Sequence, residues 1–175
     1  MLKKILTLLL LTGVTIAVNA QENEADLDAQ YATELIQPGQ TAPDFTMKTV
    51  EGTDFSLSQL KGKTIVIDFW ASWCPDCRKD APEIVRMYRK YHENGIEFVG
   101  ISMDTNVETW QNAISKYEIE YPQVSELKKF KETDIAKAYG VKWIPSMVVV
   151  GADGKVLLST VMSGKVDHLL SGLVP

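Results

Sequence analysis

The chain has 175 residues, of which 45% are hydrophobic and 23% are charged. This composition is typical of one soluble globular domain and argues against a disordered, collagen-like or multi-span membrane protein. There are 18 Lys and Arg residues against 23 Asp and Glu, so the formal net charge is -5. We therefore expect no nucleic-acid partner, because nucleic-acid binding needs a basic face.

The N-terminus has the pattern of a secretory signal peptide over residues 1–20. Two lysines precede a short apolar run, and a small residue, Ala20, ends it before a polar stretch. We predict a periplasmic or otherwise exported protein, cleaved after Ala20. A retained membrane tether is the alternative, although the run is short for a span of about 20 residues. The acidic residues 21–37 indicate a flexible lead-in to a folded domain over residues 38–175.

The rest of the chain alternates between strand and helix patterns. Alternating apolar residues around Gly52 predict an N-terminal β-hairpin. The later elements are predicted as buried strands at 64–70 and 96–103, helices at 74–92, 107–117, 133–139 and 166–173, and a second hairpin at 146–150 and 155–160. A βαβ unit implies parallel strands joined by a crossover helix. We therefore predict an α/β fold with a central mixed sheet flanked by helices.

A Cys-x-x-Cys motif, Cys74 to Cys77, stands where strand 64–70 meets helix 74–92. The first turn of a helix has unpaired N–H groups and a positive dipole end, and both favour a thiolate. Pro75 suits this position because the missing N–H has no partner there in any case. We predict that Cys74 is the exposed attacking sulfur. Cys77, one turn later, is then the more buried resolving sulfur.

Two other interpretations of the cysteine pair stay open. One is half of a zinc site, but zinc wants four ligands, and the only histidines, His92 and His168, are far apart in the sequence. The other is an inert structural disulfide, although so short a loop restrains the unfolded chain little. We expect no metal. We also expect no flavin or NADPH cofactor, because the chain has no glycine-rich nucleotide fingerprint.

The residues around the motif resemble the thioredoxin superfamily. The run 68–77 resembles its active-site strand and turn, and the run 143–146 resembles its cis-proline loop. Segments 40–57 and 106–131 resemble a narrower group, the exported thiol-disulfide oxidoreductases of the TlpA/ResA type. Their domain layout is related to that of AhpC/TSA peroxiredoxins. The resemblance covers about residues 38–173 and implies a thioredoxin-like fold with an N-terminal β-hairpin and a helical insert.

The resemblance also implies roles for residues of the run 143–146 and for Asp68. Pro145 is expected to be cis and to pack against the cysteine pair. The backbone of Ile144 is then free to pair with an extended client chain. Asp68, the one acid in an apolar strand, is expected behind Cys77, where it helps to move the proton of that thiol. The alternative for Asp68 is an acid hydrogen-bonded to backbone at a strand end.

Further expectations concern the motif's neighbours. The residues expected to contact a client are Trp73, Pro75, Asp76 and Ile144. Asp76 and Asp80 are expected to tune the protonation and the redox potential of the site. The alternative for both acids is a simple favourable charge at a helix N-terminus.

These features predict an exported enzyme that reduces disulfides in partner proteins by dithiol–disulfide exchange. An apocytochrome, as in cytochrome biogenesis, a copper-site protein and an oxidised envelope protein are the alternatives for its client. We expect its electrons to come from an upstream thiol protein in the membrane. A peroxiredoxin-like thiol peroxidase is one alternative, but that family's Pro-x-x-x-Thr-x-x-Cys site is unmatched, since Ile67 and Ala71 take the Pro and Thr positions. A non-enzymatic module that binds clients in the groove near Pro145 and Trp73 is the other.

Overall fold

The computed structural model describes residues 26–174. Within that range the helices are α1 (Leu27–Tyr31), α2 (Pro75–Tyr91), α3 (Val107–Lys116), α4 (Asp134–Ala138) and α5 (Ser163–Ser171). The strands are β1 (Thr46–Thr49), β2 (Asp54–Ser56), β3 (Thr64–Trp70), β4 (Ile96–Ser102), β5 (Gln123–Ser125), β6 (Ser146–Val150) and β7 (Val156–Thr160). The predicted signal peptide and its cleavage site lie outside the described residues. Across residues 26–174, no helix has both the length and the apolar character needed to cross a membrane.

The strands form a single mixed sheet in the order β2-β1-β5-β4-β3-β6-β7. The neighbours β3, β4 and β5 run parallel, and the other adjacent pairs are antiparallel. Helix α2 connects the parallel strands β3 and β4, as a crossover connection requires. The predicted α/β fold with a central mixed sheet and an N-terminal hairpin is confirmed.

Strand β3 lies at the centre of the sheet and leads directly to the cysteine motif. Its residues from Ile65 to Trp70 are all buried, which agrees with the continuous apolar run in the sequence. Asp68 interrupts that run. In the register of the sheet it pairs with Gly100 of β4 and Met147 of β6. The acid therefore lies inside the sheet, six residues before Cys74.

The segment 106–131 contains the predicted helix, α3, and also a strand that the sequence did not reveal. This strand, β5, pairs with β4 at Gly100 and Gln123 and with β1 at Lys48 and Ser125. It thereby joins the N-terminal hairpin to the parallel part of the sheet. Three residues are too few to show the alternation by which a strand is recognised.

The structure differs from the predicted flexible lead-in over residues 26–37. Leu35 is buried in the core. The carboxylate of Asp28 accepts a hydrogen bond from the Val161 N–H at 2.7 Å and pairs with Lys165 Nζ at 2.6 Å. The segment therefore packs against the domain through particular residues, among them Asp28 and Leu35.

Candidate active site

The cysteine pair lies at the N-terminus of α2, and Cys74 is joined to Cys77 by a disulfide. Cys74 is the N-cap residue, and the Cys77 N–H donates to Cys74 Sγ at 3.1 Å. Pro75 is the first helical residue, where its missing N–H leaves no carbonyl unpaired. The N–H groups of this first turn face Cys74, and they stabilise its thiolate once the disulfide is reduced.

Both sulfurs are shielded in the disulfide state, with Cys74 only 4% exposed and Cys77 3% exposed. The predicted exposure of Cys74 is therefore wrong for this state. The reason is the loop that faces it, because the Ile144 carbonyl oxygen lies 3.5 Å from Cys74 Sγ. Trp73, immediately before the pair, is 53% exposed and presents its indole to solvent instead.

The loop that covers Cys74 begins at Trp143, and its Ile144–Pro145 peptide bond is cis. Ser146 Oγ donates to the Trp143 carbonyl at 2.7 Å and closes the loop at the start of β6. The ring of Tyr31, from α1, stacks on Trp143 with the ring centroids 4.4 Å apart. Tyr31, Trp143, Pro145 and Asp76 line one groove, so the N-terminal segment forms one of its walls.

Asp68 lies behind the pair, where it and Cys77 line a cavity of about 10 Å³. That volume is close to the minimum that holds one water molecule. The side chain is buried, and the Tyr121 hydroxyl donates to Asp68 Oδ2 at 3.1 Å. Burial raises the pKa of Asp68 to about 7; the Tyr121 hydrogen bond opposes this rise and the Asp80 charge adds to it. A carboxyl group with such a pKa can accept and release protons at neutral pH.

The two acids predicted to tune the site occupy different places. Asp76 is exposed and pairs with Lys79 Nζ at 3.3 Å. Asp80 is half-buried, lines the same cavity as Asp68 and accepts a hydrogen bond from Ser163 Oγ at 3.3 Å. Burial is the main cause that raises the pKa of Asp80, and the Ser163 hydrogen bond acts against it. Asp80 is therefore part of the interior of the site, and Asp76 is part of its rim.

Comparison with known proteins agrees with this geometry. The AhpC/TSA family matches residues 38–159. The thiol-disulfide oxidoreductase ResA of Bacillus thuringiensis is 32% identical over 124 residues, which cover 71% of this chain and 69% of that protein. The chain belongs to the AhpC/TSA family, among its ResA-like members. The predicted membership of the thioredoxin superfamily is confirmed.

Solved structures of disulfide oxidoreductases extend the comparison. The thioredoxin domain of a Bacteroides vulgatus thiol-disulfide oxidoreductase has a TM-score of 0.73 and 27% identity, over 80% of this chain and 99% of that one. A secreted disulfide oxidoreductase of Mycobacterium tuberculosis has a TM-score of 0.64 and 26% identity, over 73% of this chain and 95% of that one. Both the thioredoxin-like fold and the thiol-disulfide oxidoreductase activity predicted from the sequence are thus confirmed.

The structure adds a polar network from β5 that the sequence did not indicate. Trp70 Nε1 donates to Gln123 Oε1 at 2.8 Å, and both groups are buried. Gly100 faces this amide so closely that a Cβ at that position would lie 2.1 Å from Gln123 Nε2. Together with the Tyr121 hydroxyl, the network links the insert of this ResA-like chain to the interior of the active site.

A second unpredicted residue, Asp104, holds the turn before the motif. Its carboxylate accepts hydrogen bonds from the Ser72 N–H at 2.9 Å and from Ser102 Oγ at 2.7 Å. The carboxyl ends of the parallel strands β3 and β4 meet at one edge of the sheet. The position of Asp104 just after β4 was therefore a sequence signal that could have predicted a residue near the cysteine motif. Asp104 therefore connects the end of β4 to the turn that leads from β3 to the cysteines.

No metal cluster is evident among residues 26–174, where no three His, Cys, Asp or Glu residues converge as ligands. His92 lies at the C-terminal end of α2, with its Nδ1 3.4 Å from a Glu97 carboxylate oxygen. His168 is on α5. The cysteines are bonded to one another.

Proposed function

We propose that this oxidoreductase is exported and reduces disulfides in partner proteins. The observation that carries the proposal is the cavity shared by Cys77 and Asp68, which places an acid with a pKa of about 7 behind the second cysteine. Such a group can remove the proton of Cys77 at neutral pH. Removal of that proton is what the release of a reduced client requires.

In the first step the Cys74 thiolate attacks one sulfur of a client disulfide. A bond forms between Cys74 Sγ and that sulfur, the client's S–S bond breaks, and the other client sulfur leaves as a thiolate that takes a proton from solvent. The N–H groups at the start of α2 stabilise the attacking thiolate. An extended client segment pairs with the backbone beside Ile144.

In the second step Cys77 gives its proton to Asp68 and attacks Cys74 Sγ. The Cys74–Cys77 bond forms, the mixed disulfide breaks, and the second client thiolate leaves. The client has gained two electrons, and the enzyme is left with the disulfide seen in the structure. An upstream dithiol protein, which we place in the membrane, then reduces the enzyme by the same exchange.

The reducing direction is supported by the lack of further donors for the Cys74 thiolate beyond the N–H groups at the start of α2. A dithiol is a strong oxidant when its thiolate form is strongly stabilised. Here the residue before Pro145 is Ile144, which has no hydroxyl to donate to that thiolate. Asp76, two residues after Cys74, opposes the thiolate only by a small, screened charge. Export is supported by the pattern of residues 1–20 and by the likeness to a secreted M. tuberculosis enzyme.

The decisive experiment measures the reduction potential of the Cys74–Cys77 pair by equilibration with dithiothreitol and glutathione buffers. We expect a value below about -200 mV, whereas a disulfide-forming catalyst lies near -120 mV. A potential near about -120 mV would indicate a disulfide-forming oxidase and contradict the proposed reductase. Clients are identified with Cys77→Ser, which leaves Cys74 bound to them, and Cys74→Ser is the matched control because it removes the attacking sulfur.

Two further assays separate the alternatives. A peroxidase would consume peroxide without a thioredoxin-like partner, and we expect no such activity. A client-binding module would complement a deletion strain even with Cys74→Ser and Cys77→Ser combined, and we expect that variant to be inactive in vivo. Localisation is checked by N-terminal sequencing of the exported protein, which we expect to begin at Gln21.

A further inference from the structure

The insert supplies a polar group to the interior of the active site. We propose that Tyr121 is a positioning residue of the exchange reaction, and that its hydroxyl orients and stabilises the Asp68 carboxylate that accepts the Cys77 proton. This inference rests on the proposed role of Asp68. It assigns to the segment before β5 a part in the chemistry, in addition to its part in the sheet.

The contact is direct and buried on both sides. Tyr121 Oη donates to Asp68 Oδ2 at 3.1 Å, and the two residues are 3% and 5% exposed. Burial, followed by the nearby Asp68 charge, raises the pKa of Tyr121 well above its ordinary value. The phenol therefore keeps its proton at neutral pH and acts as a donor. Within residues 26–174 this is the one side-chain hydrogen bond that Asp68 receives.

The other groups around Asp68 do not replace this donor. The titratable side chains that line the shared cavity are Cys77 and Asp80 from α2 and Tyr121 from the insert. No Lys, Arg or His lines that cavity among the described residues. Asp80 disfavours the Asp68 carboxylate by its charge. Tyr121 is therefore the lining group that favours the charged, proton-accepting form.

The hydroxyl is held in place by the packing of its ring. The Tyr121 ring contacts Tyr88 and Phe98, with centroid distances of 5.5 Å and 5.9 Å. Two residues further on, the Gln123 side-chain amide accepts a buried hydrogen bond from the Trp70 indole. The phenol is thus held between α2, β4 and β5, with its hydroxyl directed at Asp68.

Tyr121→Phe removes the donor and keeps the ring. A hydrogen bond to a charged group is strong enough that its loss should raise the pKa of Asp68 by about one unit. The fraction of Asp68 that is carboxylate at pH 7 would fall from about a half to about a tenth. The release of a client from the Cys74 mixed disulfide should then be about fivefold slower at pH 7 and should approach the parent rate at higher pH.

The pKa is best measured in the oxidised protein, where neither cysteine has a thiol to titrate. Carbon-13 NMR of labelled Asp carboxyl groups should follow Asp68 near pH 7 in the parent and about one unit higher in Tyr121→Phe. The matched control is Tyr139→Phe, because the Tyr139 hydroxyl donates at 2.6 Å to the Pro43 carbonyl and not to Asp68. The control should leave the Asp68 titration unchanged.

An Asp68 pKa that is unchanged or lower in Tyr121→Phe would overturn the proposal. This titration needs no client, so it stands whether or not the protein proves to be a reductase. The kinetic arm adds Tyr121→Phe to an Asp68→Asn background, where we expect no further change in the pH profile of client release. If Tyr121→Phe slowed client release by the same factor at every pH, or by the same factor in the Asp68→Asn background as in the parent, the role of Tyr121 would be merely structural.

Discussion

The active site has a rim and a floor, and similar acids behave differently in the two. The rim consists of Trp73, Asp76 and Trp143, and the floor consists of Asp68, Cys77 and Tyr121. Asp76 is exposed beside a lysine, so water and salt screen its charge. Asp68 is buried, and burial is the main cause that raises its pKa to about 7. The influence of an acid on the sulfurs is therefore set by its solvent exposure more than by its place in the sequence.

The largest expected effect concerns the floor. The folded pKa of Asp68 is about 7, against an ordinary value of 3.8. Because it is raised, the stability contributed by the protonated acid is fully present below about pH 4 and is lost as pH rises through about 7. A difference of about three between the folded and the ordinary pKa corresponds to about 4 kcal/mol of unfolding free energy. Relative to Asp68→Asn, the oxidised parent should lose about this much unfolding free energy between pH 4 and pH 8.

Urea unfolding of both proteins across that pH range, with the disulfide intact, measures the difference. The matched control at the rim is Asp76→Asn, which should run parallel to the parent at every pH. If the unfolding free energies of the parent and Asp68→Asn changed in parallel with pH, the proposed difference between rim and floor would be contradicted.

A smaller effect tests the packing of the floor. Gly100→Ala places a methyl group where the Gln123 amide lies, 2.1 Å from Nε2. The amide has to move and gives up its bond to Trp70, so we expect a loss of about 2 kcal/mol of unfolding free energy. Gln123→Ala, combined with Gly100→Ala, should recover part of the loss. No recovery in the double variant would show that the strain lies in the β4 backbone.

The smallest effect is expected at the rim. Asp76→Asn removes a screened negative charge near Cys74 and should make the pair more oxidising by about 10 mV, since an exposed charge pair is worth only tenths of a kcal/mol. Equilibration of parent and variant with glutathione buffers measures the shift. A shift of about 30 mV or more, or one in the reducing direction, would contradict the contrast between rim and floor.

Much of the fold could be predicted from the sequence, because its long elements carry strong patterns. Strand β3 is a continuous apolar run, and α2 starts at a cysteine followed by Pro75. The short elements could not be predicted in this way. Residues 26–37 looked polar, yet Asp28 and Leu35 find partners across the chain. Strand β5 has three residues and obtains its stability from β4 and β1.

By itself the sequence determined the reactive groups: two cysteines at the start of a helix, an acid inside an apolar strand and a proline far along the chain. Their chemistry follows from residue type and local position, which do not depend on distant parts of the chain. Only the tertiary structure decided which groups surround them. Tyr121 reaches Asp68 across 53 residues of sequence, and burial, not identity, brings the pKa of that acid to about 7. The apolar run around Asp68 predicts a buried strand, but the groups that shift this pKa further, Tyr121 and Asp80, come from other elements and meet Asp68 only in the packed interior.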